Sequence, residues 1–112
     1  MPNQSTEADL IEASAALRKL QEYTRKTGEE RGFSSETAQD SFMLLIEELG
    51  EVAKAMRPLH GVKVASDSTV SELSHELADV QLLLLSLANK LNIDLTDAVI
   101  QKEKKNRTRT WS

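Results

Sequence analysis

Apolar residues recur along this chain at helical spacing in four stretches, and nowhere do they alternate with polar residues as a half-buried strand requires. Thr6 followed by Asp9 makes a capping-box-like start, after which Leu10, Ala13, Leu17, Leu20 and Thr24 fall on one face. The pattern predicts a first helix ending near Thr24. Arg25 to Ser35, with Gly28 and Gly32, reads as a loop carrying Arg25, Lys26, Arg31 and Phe33. Ser34 or Ser35 can cap a second helix whose core stripe is Phe42, Leu45, Leu49, Val52, Ala53 and Met56. Pro58 and Gly61 stop it. Leu59 to Ser68 is a connector, and Thr69 with Glu72 forms a capping box for a third helix running to about Leu91. Its predicted core face is Leu73, Leu77, Val80, Leu84, Leu87 and Leu91, and the run Leu82 to Leu85 implies burial on several sides. Asp94 caps a final helix from Leu95, with Asp97 in its first turn and Lys102, Lys104 and Lys105 near its end, as the helix dipole favours.

The expected fold is therefore all-α: an antiparallel helical hairpin bundle of about four helices. A chain of 112 residues makes one domain, residues 1–112, but is short for burying a site between its own helices. Completion of the bundle by dimerisation, as a homodimer or a dimer of dimers (homotetramer), is expected. The 39% apolar and 29% charged fractions are those of a globular rather than a disordered chain. Without cysteine there is neither a disulfide framework nor a thiolate metal site. Met1 to Asp9 lack the basic start and apolar core of a signal peptide, and no apolar run approaches membrane-spanning length. A cytoplasmic location with no membrane partner is the default. A net charge of −4 argues against a nucleic-acid partner, although Lys102 to Arg109 hold five of the fourteen basic residues.

Acidic residues interrupt the apolar pattern at two places. Glu47-Glu48-Leu49-Gly50-Glu51 lies in the second helix and Glu76-Leu77-Ala78-Asp79 in the third. At about 100° per residue, Leu44, Glu48, Glu51 and Ala55 form one stripe, and Glu72, Glu76, Asp79 and Leu83 another. Pairing the stripes would bring Glu48, Glu51, Glu76 and Asp79 together. Four inward carboxylates repel one another unless a cation neutralises them. An oxygen-only donor set suits a hard ion, Mg²⁺ or Mn²⁺. A single Glu-x-x-Glu is ordinary on a solvated helix; two such pairs on consecutive apolar helices are not.

The segments Leu45-Ile46-Glu47-Glu48-Leu49-Gly50-Glu51-Val52-Ala53 and Glu76-Leu77-Ala78-Asp79-Val80 resemble the Glu-Glu-x-x-Glu and Glu-x-x-Asp signature of the MazG-like nucleotide pyrophosphohydrolases. These belong to the all-α NTP pyrophosphatase superfamily. Lys102-x-x-x-Asn106-x-x-Arg109 resembles the basic element after the last helix in its smaller members, so the likeness runs from about Phe33 to Trp111. The resemblance implies Mg²⁺-dependent conversion of nucleoside triphosphates, plausibly deoxyribonucleotides, to the monophosphate and pyrophosphate in nucleotide-pool house-cleaning. It implies that Glu48, Glu51, Glu76 and Asp79 hold the metal, while Glu47 orients or deprotonates the attacking water. Water is the nucleophile, so no Ser, Cys or His nucleophile is needed.

Lys102, Asn106 and Arg109 share a face and offer a cation, an amide and a guanidinium to phosphate oxygens; otherwise they are a solvated, dipole-favoured helix end. Of four aromatic residues, Phe33 and Trp111 are the candidates for stacking on a base, or else ordinary packing. Two other readings stand beside this one. Glu72 and His75 form the Glu-x-x-His of di-iron carboxylate bundles, which would make His75 a ligand and leave Asp79 and the basic tail without a role. A non-catalytic helical interaction module would have no need of four semi-buried acids.

Overall fold

A computed structural model describes residues 5–61 and 73–109, and every regular element among them is helical. The helices are α1 (Glu7–Glu30), α2 (Ala38–Met56), α3 (Leu73–Lys90) and α4 (Leu95–Arg107). The all-α expectation holds. The ends follow local chemistry. Thr6 accepts from the Asp9 amide while the Asp9 carboxylate accepts from the Thr6 amide, the predicted box. Thr37 and Asp40 form a second such box, so α2 starts at Ala38 and not from a cap at Ser34 or Ser35. α2 ends at Met56 and gives way to a 3₁₀ turn over Arg57–His60 with Pro58 at its start, and Gly61 closes that turn with φ 73°, a conformation that favours glycine. Asp94 caps α4 through the Asp97 amide, as expected. The Thr69–Glu72 box lies outside the described residues.

α1 runs six residues beyond the predicted stop at Thr24. Arg25 holds Glu22 at i−3 and Glu29 at i+4, ion pairs that carry the helix through Gly28 to Glu30. The loop is accordingly confined to 31–37.

α2 and α3 pack antiparallel, since Lys90 at the end of α3 meets the turn before α2 while Glu48 meets Glu76 and Asp79. α1 packs on α3 and on α4. The seam along α2 is Ser41, Leu45, Glu48, Val52 and Ala55, and that along α3 is Leu73, Glu76, Val80, Leu83 and Leu87. These heptad-spaced rows take in Glu48 and Glu76 from the acidic stripes, leave Glu51 and Asp79 exposed, and include only part of the predicted core. Phe42, Leu49 and Met56 on α2, Leu77 and Leu84 on α3, and Leu91 just past its end are exposed instead, contrary to the periodicity reading. Small Ser41 and Ala55 let the helices approach along the acid-bearing row, which rotates the bulkier apolar row out of the seam.

α1 is attached by polar contacts. Gln21 is buried; its Nε2 donates to Asn89 Oδ1 (3.0 Å) and the Ile93 carbonyl (2.8 Å), and its Oε1 accepts from the Leu95 amide (3.1 Å). Asn89 Nδ2 in turn donates to the Gln21 carbonyl. Arg18 bridges Asp94 and Asp97, Lys104 pairs with Glu7, and Arg107 donates to the Ser5 carbonyl. The result is a plate of 48 × 42 × 21 Å, about two helix diameters thick.

Candidate metal and phosphate site

α2 carries Glu47, Glu48 and Glu51, and α3 carries Glu76 and Asp79. Carboxylate oxygens of Glu48, Glu76 and Asp79 lie within 4.8 Å of one another. Glu48 and Glu76 are half-buried in the helix seam, and Asp79 lies at its solvent edge. Glu51, one turn beyond Glu48, is not in that trio, yet its charge is felt at Glu48. Glu47 is exposed, about 100° round α2 from Glu48.

The electrostatics of this seam are unfavourable as the bare carboxylates stand. The Glu48 carboxyl is pushed up to about 7, first by the adjoining Glu76 carboxyl and burial, then by the charges of Asp79 and Glu51. Its Oε2 is buried and has no hydrogen-bond partner among the described residues. Two carboxylates this close need either a shared proton or a cation between them. Unpaired buried oxygen, convergent like charges and an all-carboxylate donor set together fit a hard divalent ion, and Glu48, Glu76 and Asp79 are the residues placed to hold it.

His75 is exposed and is not part of the trio, and Glu72 lies outside the described residues. Nothing among the described residues assembles the Glu-x-x-His arrangement of a di-iron site.

The basic tail lies on α4 and just beyond it. α4 packs on α1. Lys102 is exposed, and Asn106 donates to Glu103 Oε1 (3.0 Å). Glu103, Asn106, Arg107 and Arg109 line an open hollow of about 370 Å³. Phe33 sits in the turn after α1 with its ring half exposed, while Trp111 lies outside the described residues. Two side chains that no motif announced also shape this region. Lys90 Nζ donates to the carbonyls of Phe33 (3.0 Å) and Ser34 (3.1 Å), tying the turn to α3. Ser41 is almost wholly buried on the seam, and its signal was its heptad spacing from Leu45, Glu48, Val52 and Ala55.

The model of the MazG nucleotide pyrophosphohydrolase domain matches residues 35–111, which takes in α2, α3 and α4 but not α1. A curated relative, the dATP/dGTP diphosphohydrolase of Cyanophage S-2L, is 40% identical over 63 residues. That alignment covers 56% of this chain and 57% of the relative, so the chain spans little more than half the relative's length. No solved structure gives a significant match. With a match over more than half of its residues, the chain belongs to the MazG nucleotide pyrophosphohydrolase domain family.

Proposed function

We propose that this protein is a Mg²⁺-dependent nucleoside triphosphate pyrophosphohydrolase that converts (d)NTP to (d)NMP and pyrophosphate, in the service of nucleotide-pool house-cleaning. The observation that carries the proposal is the Glu48 carboxylate, whose Oε2 is buried and unpartnered among the described residues and which has an oxygen within 4.8 Å of oxygens of Glu76 and Asp79. Glu48, Glu76 and Asp79, joined by Glu51, hold the ion; Mn²⁺ can substitute. Bound Mg²⁺ supplies positive charge to phosphate oxygens and acidifies a water. Glu47, exposed beside the trio, accepts the proton of the attacking water at its carboxylate. Lys102, Asn106 and Arg109 bind phosphate or sugar oxygens, and Phe33 and Trp111 stack on the base. The relative is named for dATP and dGTP, so purine deoxyribonucleotides head the list of substrates.

The test is a panel of common ribo- and deoxyribonucleoside triphosphates incubated with the protein in Mg²⁺ and again in EDTA, with products separated by ion exchange. The expected outcome is monophosphate without diphosphate, in Mg²⁺ alone. Turnover that persists in EDTA would contradict it.

A further inference from the structure

Basic residues crowd the end of α4, yet its two half-buried side chains there are an acid and an amide. Across 101–109 only Glu103 and Asn106 are half-buried, while Lys102, Lys104, Lys105, Arg107 and Arg109 are exposed. Two of those cations are engaged with α1 and the residue before its cap, Lys104 with Glu7 and Arg107 with the Ser5 carbonyl. Glu103 has four basic residues within four positions of it in the chain, and its Oε1 accepts instead from Asn106 Nδ2 (3.0 Å). Glu103 and Asn106, with Arg107 and Arg109, line the open hollow of about 370 Å³.

That hydrogen bond has a direction. A carboxylate only accepts, so the amide nitrogen must face Glu103, and the planar amide then turns its Oδ1 away. At about 100° per residue, Asn106 lies about 60° round α4 from Glu103, and Lys102 lies about 40° further on in the same sense. Oδ1 is thus an acceptor set beside the cations of the tail. Cations take phosphate oxygens, but an amide oxygen or a carboxylate needs a donor. Next to its phosphates a nucleotide offers donors in the hydroxyls of its sugar. The 3′-hydroxyl is the one that ribo- and deoxyribonucleotides share.

We infer that Glu103 is a positioning residue for sugar recognition: it holds the Asn106 amide so that Oδ1 accepts from the 3′-hydroxyl of the nucleotide, while Lys102 and Arg109 serve the phosphates. The inference rests on the hydrolase reading and refines it. Without Glu103 the amide turns over about χ2 at little cost and presents Nδ2 or Oδ1 indifferently. A glutamine at this position still has an oxygen to give Nδ2, whereas a leucine has nothing.

The experiment compares kcat/KM for dATP and for 2′,3′-dideoxy-ATP, with the full chain in Mg²⁺. The expected preference of the parent for dATP is about tenfold, the worth of one hydrogen bond in an open hollow. Glu103→Leu should bring that preference to within about twofold, through KM more than kcat, and Glu103→Gln should keep most of it. A purely structural part for Glu103 would lower turnover of both nucleotides alike, and an unchanged ratio in Glu103→Leu overturns the inference. Should that variant fail to fold, Asn106→Leu removes the acceptor itself and must abolish the preference; its survival there overturns the inference as well. Turnover of both nucleotides by the parent at equal kcat/KM overturns the inference and leaves the hydrolase reading standing, whereas a parent that hydrolyses neither overturns both.

Discussion

Replacing Glu48 by glutamine keeps the shape of the side chain and removes the charge that the seam cannot accommodate. In the metal-free protein Glu48 titrates at about 7, against 4.5 for an ordinary glutamate, so between those values the folded state binds protons that the unfolded state has lost. Stability therefore falls as pH rises from about 4.5 to about 7, and the penalty is fully present above 7. Each tenfold change in proton affinity is about 1.4 kcal/mol, an upper limit near 3 kcal/mol, and water at the Asp79 edge screens this to about 1–2 kcal/mol. At pH 8 in EDTA, Glu48→Gln should thus be more stable than the parent by that amount, or about 5–15 °C in midpoint for a domain of this size. Below pH 4.5 the gain should vanish. Added Mg²⁺ or Mn²⁺ should reverse the order, because the parent gains about 2.7 kcal/mol at a hundredfold excess over Kd and the variant does not. Thermal denaturation followed by circular dichroism, at one protein concentration, with and without metal, reads all of these. A variant less stable than the parent in EDTA at pH 8, or equally stabilised by metal, would refute the electrostatic account of the trio.

Asp79→Asn should cost at least 100-fold in kcat/KM while leaving helicity intact, since Asp79 sits at the solvent edge and its packing is not at stake; steady-state kinetics with a matched spectrum checks both halves. Glu47→Gln should lower kcat by about 10²–10⁴-fold with metal affinity preserved, as expected for loss of a proton acceptor, and Mn²⁺ titration separates it from Asp79→Asn. Arg109→Ala should raise KM or lower kcat/KM at fixed Mg²⁺ with unaltered metal affinity; unchanged kinetics would return the tail to a solvated helix end. Gln21→Ala strips partners from the Ile93 carbonyl and Leu95 amide and should cost about 2–3 kcal/mol, read as a fall of roughly 10 °C or more in the midpoint.

Helix number, type and most caps were legible because they are local: Thr6 with Asp9, Asp94, and Pro58 with Gly61 each act within a turn of themselves. Pairing of the acidic stripes was legible in part, and three of the four carboxylates converge. Helix rotation was not. Periodicity says that Phe42, Leu49 and Met56 share a stripe but not that the stripe faces away from α3, because a helix's rotation is set by its packing against helices distant in the sequence. The α1 contacts were invisible for the opposite reason. They run through Gln21, Asn89 and Arg18, polar residues whose partners lie some seventy positions away, and no spacing rule joins them. The end of α1 was misjudged because Gly28 was weighed as a breaker without the Arg25 ion pairs that offset it.

The central claim is that the Glu48, Glu76 and Asp79 carboxylates hold the metal for pyrophosphohydrolysis. Phosphorus-31 NMR of dATP and dGTP incubated with the protein in Mg²⁺, run beside Glu48→Gln, tests it most directly. The account predicts monophosphate and pyrophosphate appearing in equal amounts with the parent and neither with the variant. Diphosphate and inorganic phosphate as products, or equal turnover by the variant, would contradict it.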